Sequence, residues 1–415
     1  MPRTLIRNAR IVDGMGREPY SGALLMDGAR IVAVTDRDPG IAGAERIVDA
    51  AGATVMPGLI EPHAHLTFAD KPASWQLGEI PPEEHALIAA RHAGLLLDHG
   101  FTSCFSAASA KPRTEIALRD AIAAGYVRGP RLLAASPELT VTGGLGDAQL
   151  GHQYRESFAM VCDVPDELRV AARMLVREGV DTLKVNISGD EGTPAARAHL
   201  TVMSDQEVAA VCEVARAHGR RMAAHTRSAE SVKIALRHGI DVLYHATLVD
   251  EEALCLLAAA RHRVFVAPTL GAVHATLTRA HEFGVRPPPN LGQEFELGCV
   301  AMRELKRRGV PVLPGGDYGF AWNPQGTDAR DLAVFVEFLG FTPLEAIRAA
   351  TSQSAGVFGL AGEIGCLAAG CIADVIVVEG DPSVDIAQLQ NADAIAAVFQ
   401  SGDQVKVTAG RWAAH

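Results

Sequence analysis

Glu178-Gly179-Val180-Asp181-Thr182-Leu183-Lys184-Val185 closes a helical pattern with glycine and opens an apolar strand within about two residues. Glycine takes the left-handed position just past a helix end at little steric cost, so the chain can turn sharply back. The same punctuation recurs at His99-Gly100-Phe-Thr, His218-Gly219-Arg-Arg, His238-Gly239-Ile-Asp and Arg308-Gly309-Val-Pro. Working outward from these points gives eight strands, near 54–59, 102–105, 131–135, 182–186, 222–225, 242–245, 264–267 and 312–316. Helical stretches separate them, so the pattern predicts an α/β fold with a closed (β/α)8 barrel. An open doubly wound sheet usually carries a glycine-rich nucleotide turn after its first strand, and no GxGxxG occurs here.

The flanks have another texture. Ile31-Val-Ala-Val34, Arg46-Ile-Val-Asp49, Asp374-Val-Ile-Val-Val378 and Gln404-Val-Lys-Val-Thr408 are short β-branched runs broken by turn residues. They predict a small β-sandwich domain built from residues 1–56 and 360–415, with the barrel over 57–359.

The chain has 415 residues, 48% apolar and 21% charged, so disorder and fibrous folds are excluded. No window approaches the ~18 uncharged apolar residues that a bilayer span requires, so no membrane partner is expected. The net charge is −11 and basic residues do not cluster, which argues against nucleic acid. Seven cysteines without a CxxC pair read as buried free thiols in a reducing compartment. The N-terminal residues lack the apolar stretch of a signal peptide, and a cytoplasmic location is expected.

Barrel chemistry sits at the C-terminal ends of the strands. The first strand ends in Pro57-Gly-Leu-Ile-Glu-Pro-His63-Ala-His65. The fourth carries Lys184, the fifth ends at His225, the sixth at His245 and the eighth at Asp317. His63 and His65, spaced i and i+2 on extended backbone, point the same way and can share one metal ion. Lys184 inside an apolar strand pays for desolvation, which favours its neutral amine. Such an amine can add carbon dioxide to give an anionic carbamate with two oxygens, suited to bridging two cations. No serine has glycines at both ±2 and HExxH is absent, so the nucleophile elbow and the zincin helix are excluded.

This constellation resembles the amidohydrolase superfamily, in its imidazolonepropionase-like and prolidase-like branch with a binuclear metal centre. Gly362-Glu-Ile-Gly-Cys-Leu-Ala-Ala-Gly370-Cys-Ile-Ala-Asp374 is similar to the family's entry into its β-sandwich. Pro130-Arg-Leu-Leu-Ala and Thr140-Val-Thr-Gly-Gly144 resemble the branch's third-strand segment. Two departures fall on substrate loops. Leu145 stands where the branch often has a substrate-contacting histidine, a role that His152 could take over, and Arg227 stands where an aromatic residue is common.

The resemblance implies two divalent cations, zinc by the imidazole preference. His63, His65 and Asp317 would hold one, His225 and His245 the other, and carboxylated Lys184 both. Asp317 would be the general acid/base, and Arg227 the receptor of a substrate carboxylate. Tyr318 and Trp322 are expected to wall the pocket, and Tyr244 to point away from the centre. The implied reaction is hydrolysis of an amide bond in a dipeptide or N-acyl amino acid by a homo-oligomeric enzyme. Hydrolysis of a xenobiotic amide, carbamate or urea is the alternative. A deaminase, or a barrel that keeps metals without catalysis, is a weaker reading, since mononuclear deaminases generally lack the strand-four lysine.

Overall fold

The computed structural model describes residues 2–36 and 43–408. Two compact units emerge, one from residues 1–61, 94–104 and 328–415, the other from 62–93 and 105–327.

The first unit is organised by an eight-stranded sheet. Its order is Asp403–Val407, Ile395–Gln400, Val375–Val378, Thr54–Pro57, Thr4–Ile11, Tyr20–Asp27 and Arg30–Thr35, with Arg46–Asp49 running beside Thr4–Ile11. Side chains alternate across a strand, so apolar residues at every second position face one side. Ile6, Leu24, Val55, Val375, Val377 and Phe399 meet there in one buried cluster. Cys366 and Cys371 also belong to it, joined as a disulfide with their Cα atoms 6.5 Å apart. This corrects the reading of all seven cysteines as free thiols, and Cys255 is exposed rather than buried. Gly370, at φ +92°, reverses the chain between the two sulfurs, a turn that the spacing of isolated cysteines does not reveal. The inference of a reducing compartment loses its basis with it.

Parallel strands carry the chemistry. Leu59–Ala64, Phe101–Ser106 and Arg131–Leu133 form a three-stranded sheet. A second sheet runs Met160–Val161, Ala135–Thr140, Thr182–Asn186, Arg221–Ser228, Val242–Leu248 and Phe265–Ala267, every pairing parallel. From Ala135 on, its main ladder follows chain order, which is what successive βα units produce. Three sequence windows need correction. The stretch 54–59 splits at Gly58, so Thr54–Pro57 joins the mixed sheet and the first parallel strand starts at Leu59. The stretch 131–135 continues into a separate strand, Ala135–Thr140. The eighth element contributes a single bridge, Val266 to Val312, because Pro311 and Pro314 remove ladder donors on either side.

Helix ends follow local chemistry. Ser204 and Glu207 form a reciprocal cap on Asp205–Ala217, and Gly179 ends Pro165–Glu178 at φ +106°. No helix among the described residues is long and apolar enough to cross a membrane.

Candidate metal centre

Four imidazoles, a lysine and an aspartate line one cavity of about 530 Å³ in the second unit. His63 and His65 leave the first parallel strand together, with ring centroids 5.3 Å apart. Thr269 Oγ1 lies 2.8 Å from His63 Nδ1, and the Ala108 carbonyl lies 3.0 Å from His65 Nδ1. Both rings are thus fixed through Nδ1, which assigns Nε2 to a cation. The His225 Nε2 lies 3.0 Å from the Gly189 carbonyl, which assigns its Nδ1 instead. The His225 and His245 rings are 4.3 Å apart.

Burial holds all four imidazoles neutral, as ligands must be. It pushes His63, His65 and His245 well below the usual histidine range and His225 down to about 3. His245 Nδ1 is buried with no hydrogen-bond partner, the state of a donor atom built for an ion. His63, His245 and Asp317 bring one ligand atom each within 4.8 Å of one another. Asp317 Oδ1 also lies 3.2 Å from His65 Nε2. Burial pushes the Asp317 carboxyl up to about 7, opposed by the Lys184 charge.

Backbone geometry explains one departure. His245 and Ala246 have φ of +74° and +50°, so the pleat is broken at the strand end and alternation fails there. Tyr244 therefore does not point away. It is fully buried against the centre, its ring stacked on His63 at 3.8 Å and its hydroxyl donating to the Pro62 carbonyl. The same ring lies 4.5 Å from Lys184 Nζ.

Lys184 is 1% exposed, and burial lowers its amine below the usual lysine range against the pull of Glu138 and Asp317. Glu138 is the residue that sequence reasoning missed. It pairs in register with Lys184 across the adjacent strand, and its Oε1 lies 4.0 Å from Nζ. Asn186 Nδ2 holds its other oxygen at 2.9 Å. The available signal was Glu138 as the one charged residue in the strand Ala135–Thr140, all of it buried.

The substrate side differs more. Arg227 reaches the cavity, as alternation with His225 required, but its fork is already engaged. One terminal nitrogen bonds Asp190 at 2.6 Å and the other bonds Glu294, which also accepts from Thr247. Its charge is shared with these two carboxylates inside the protein, which argues against the expected role as a carboxylate receptor. Arg227→Met is therefore expected to cost about 3–5 kcal/mol of stability, because the buried Glu294 and the half-buried Asp190 lose their cation. Its kcat/KM losses should be equal for acidic substrates and for their methyl esters. Urea unfolding and paired kinetics check both, and a loss confined to the acids would restore the receptor role.

Trp322 lines the cavity, with its indole N–H donating to Thr276. Tyr318 does not, because Asp317 at φ +52° and Gly319 at +121° turn it back over Gly316. Phe320 takes the wall position instead. His152 is exposed and lines no part of this cavity; Leu145 does.

Comparison with known proteins bears on this geometry. The amidohydrolase family model matches residues 54–405. Ochratoxinase from Aspergillus niger is 26% identical over 97% of this chain and 86% of its own length. Imidazolonepropionase from Symbiobacterium thermophilum is 27% identical over 86% of this chain and 83% of its own. A solved prolidase complexed with N-methylphosphonate-L-proline superposes with a TM-score of 0.88 at 28% identity, covering 98% of this chain and all of that one.

Proposed function

The chain belongs to the amidohydrolase family, and on that premise we propose that it hydrolyses the amide bond of a dipeptide or N-acyl amino acid carrying a free carboxylate. The observation that carries this reading is the convergence of four neutral imidazoles, Asp317 and Lys184 on one cavity. The donor set fits two divalent ions, with zinc favoured by the imidazoles, and a carboxylated Lys184 would supply the bridging anion. A metal pair bound there supplies a water acidified to a pKa near ~7 and an electrophile for the carbonyl. The chain's own residues then do the following. Asp317 takes the proton from the attacking water as the C–O bond forms and delivers it to the leaving nitrogen, after which the C–N bond breaks and the amine departs. His63, His65, His225 and His245 stay neutral and fixed. Phe320, Trp322 and Leu145 enclose the substrate and exclude water.

With its charge committed to Asp190 and Glu294, Arg227 leaves carboxylate recognition to Arg197 and Arg286, the exposed cations on the cavity wall. The closed (β/α)8 barrel over 57–359, flanked by a sandwich from 1–56 and 360–415, belongs to the same proposal. It is supported by the chain-order parallel ladder and by the likeness to the prolidase.

Likeness to ochratoxinase over nearly the whole chain supports a second reading, hydrolysis of a xenobiotic amide. A panel of dipeptides, N-acyl amino acids, and aryl amides, carbamates and ureas tests both with zinc-loaded protein. Release of free amino acid from the first two classes supports the primary reading. Turnover restricted to the aryl compounds supports the second, and equal turnover after chelation would remove the metal from the account.

A further inference from the structure

Asp317 adopts a left-handed backbone at φ +52°, a conformation that a non-glycine residue keeps only when its surroundings impose it. The surroundings are two side-chain amides from the next loop. Asn323 Nδ2 donates to the carbonyls of Gly316 at 2.9 Å and Asp317 at 3.2 Å, and it is fully buried. Gln325 Nε2 donates to the Tyr318 carbonyl at 3.0 Å and to the His65 carbonyl at 2.8 Å. The Gln325 backbone N–H is itself tied to Asp70 Oδ1 at 3.0 Å. One short segment, Asn323-Pro324-Gln325, thus holds the peptide units on both sides of Asp317 and fastens them to the backbone of His65.

We propose that Asn323 and Gln325 are positioning residues that set Asp317 against His65, with Gln325 as the clamp between the two ligand loops. The inference rests on the reading of Asp317 as a metal ligand and acid/base. An amide suits the task because one NH₂ group donates twice and carries no charge. A carboxylate of the same shape has no N–H to give and would repel both carbonyls. A methionine fills the volume with no donor at all. Pro324 between the two amides limits the backbone freedom of the segment.

Gln325→Met, Gln325→Asn and Asn323→Ser are prepared alongside the full-length wild type, each loaded with zinc for kinetics and with cobalt(II) for absorption. The expected kcat losses are 10- to 100-fold for Gln325→Met and intermediate for Gln325→Asn, which keeps an amide that reaches one carbonyl. KM should stay within threefold and thermal midpoints within a few degrees. The cobalt visible bands should shift in Gln325→Met while the metal stoichiometry holds. Asn323→Ser, which cannot reach both carbonyls, serves the same test should Gln325→Met fail to fold. Unchanged cobalt bands with unchanged kcat overturn the proposal, as do kcat losses that track the thermal midpoint rather than the amide. If wild type hydrolyses no amide, the cobalt spectra still read the clamp, so its failure is separable from failure of the functional assignment.

Discussion

Asp317→Asn is expected to keep most of its metal affinity and to lose turnover by orders of magnitude. An amide oxygen can still coordinate a cation, but it cannot accept a proton from the attacking water. The surroundings argue that this carboxylate is held for such a transfer. Its Oδ1 sits 3.2 Å from His65 Nε2, and the residue shares a 4.8 Å cluster with His63 and His245. Burial is the main cause that lifts its carboxyl to about 7, against the opposing charge of Lys184, so the site disfavours the bare charge and favours a partner that offsets it. Metal content by elemental analysis and steady-state kinetics are the measurements. Retention of more than a tenth of wild-type kcat, which is ~1.4 kcal/mol of barrier, would remove Asp317 from the acid/base role.

What the sequence could and could not reveal follows from the range of each interaction. Strand ends, helix-closing glycines and the i, i+2 histidine pair are local features, so the parallel ladder and the placement of His63, His65, Lys184, His225, His245 and Asp317 were legible. Alternation predicted side-chain direction wherever the backbone stays extended, and so it brought Arg227 into the cavity. It failed where positive φ breaks the pleat: at His245 the break lets both Tyr244, in register with His225, and His245 face the centre, and at Asp317 it turns the following Tyr318 away. Partners distant in sequence were beyond reach. Glu294 lies 67 residues from Arg227 and Glu138 lies 46 before Lys184, yet these two carboxylates decide what the arginine and the lysine can do. The Cys366–Cys371 bond is local, five residues apart, but it depends on the turn between them, which composition does not reveal.

Lys184→Ala should be nearly inactive, and short carboxylic acids should restore part of the activity. The lysine is enclosed, 4.0 Å from Glu138 and 4.5 Å from the Tyr244 ring centroid, in strand register with Glu138. As an ammonium it would repel cations held by the neighbouring imidazoles. Desolvation pushes it toward the neutral amine, the form that reacts with carbon dioxide. Addition of carbon dioxide would turn that neutral amine into a carbamate anion with release of one proton, and cations at the histidines would gain an anion where the amine offered none. Alanine leaves a hole of about the lysine's reach, into which acetate or propionate can place a carboxylate, so rescue should depend on acid length. Lys184→Met fills the hole without charge and should resist rescue. Labelled bicarbonate followed by carbon-13 spectroscopy of the wild type reads the carbamate directly, independent of turnover. An unmodified amine in fully metal-loaded, active enzyme would sink the assignment, and Glu138 would then have to supply the anion between the cations.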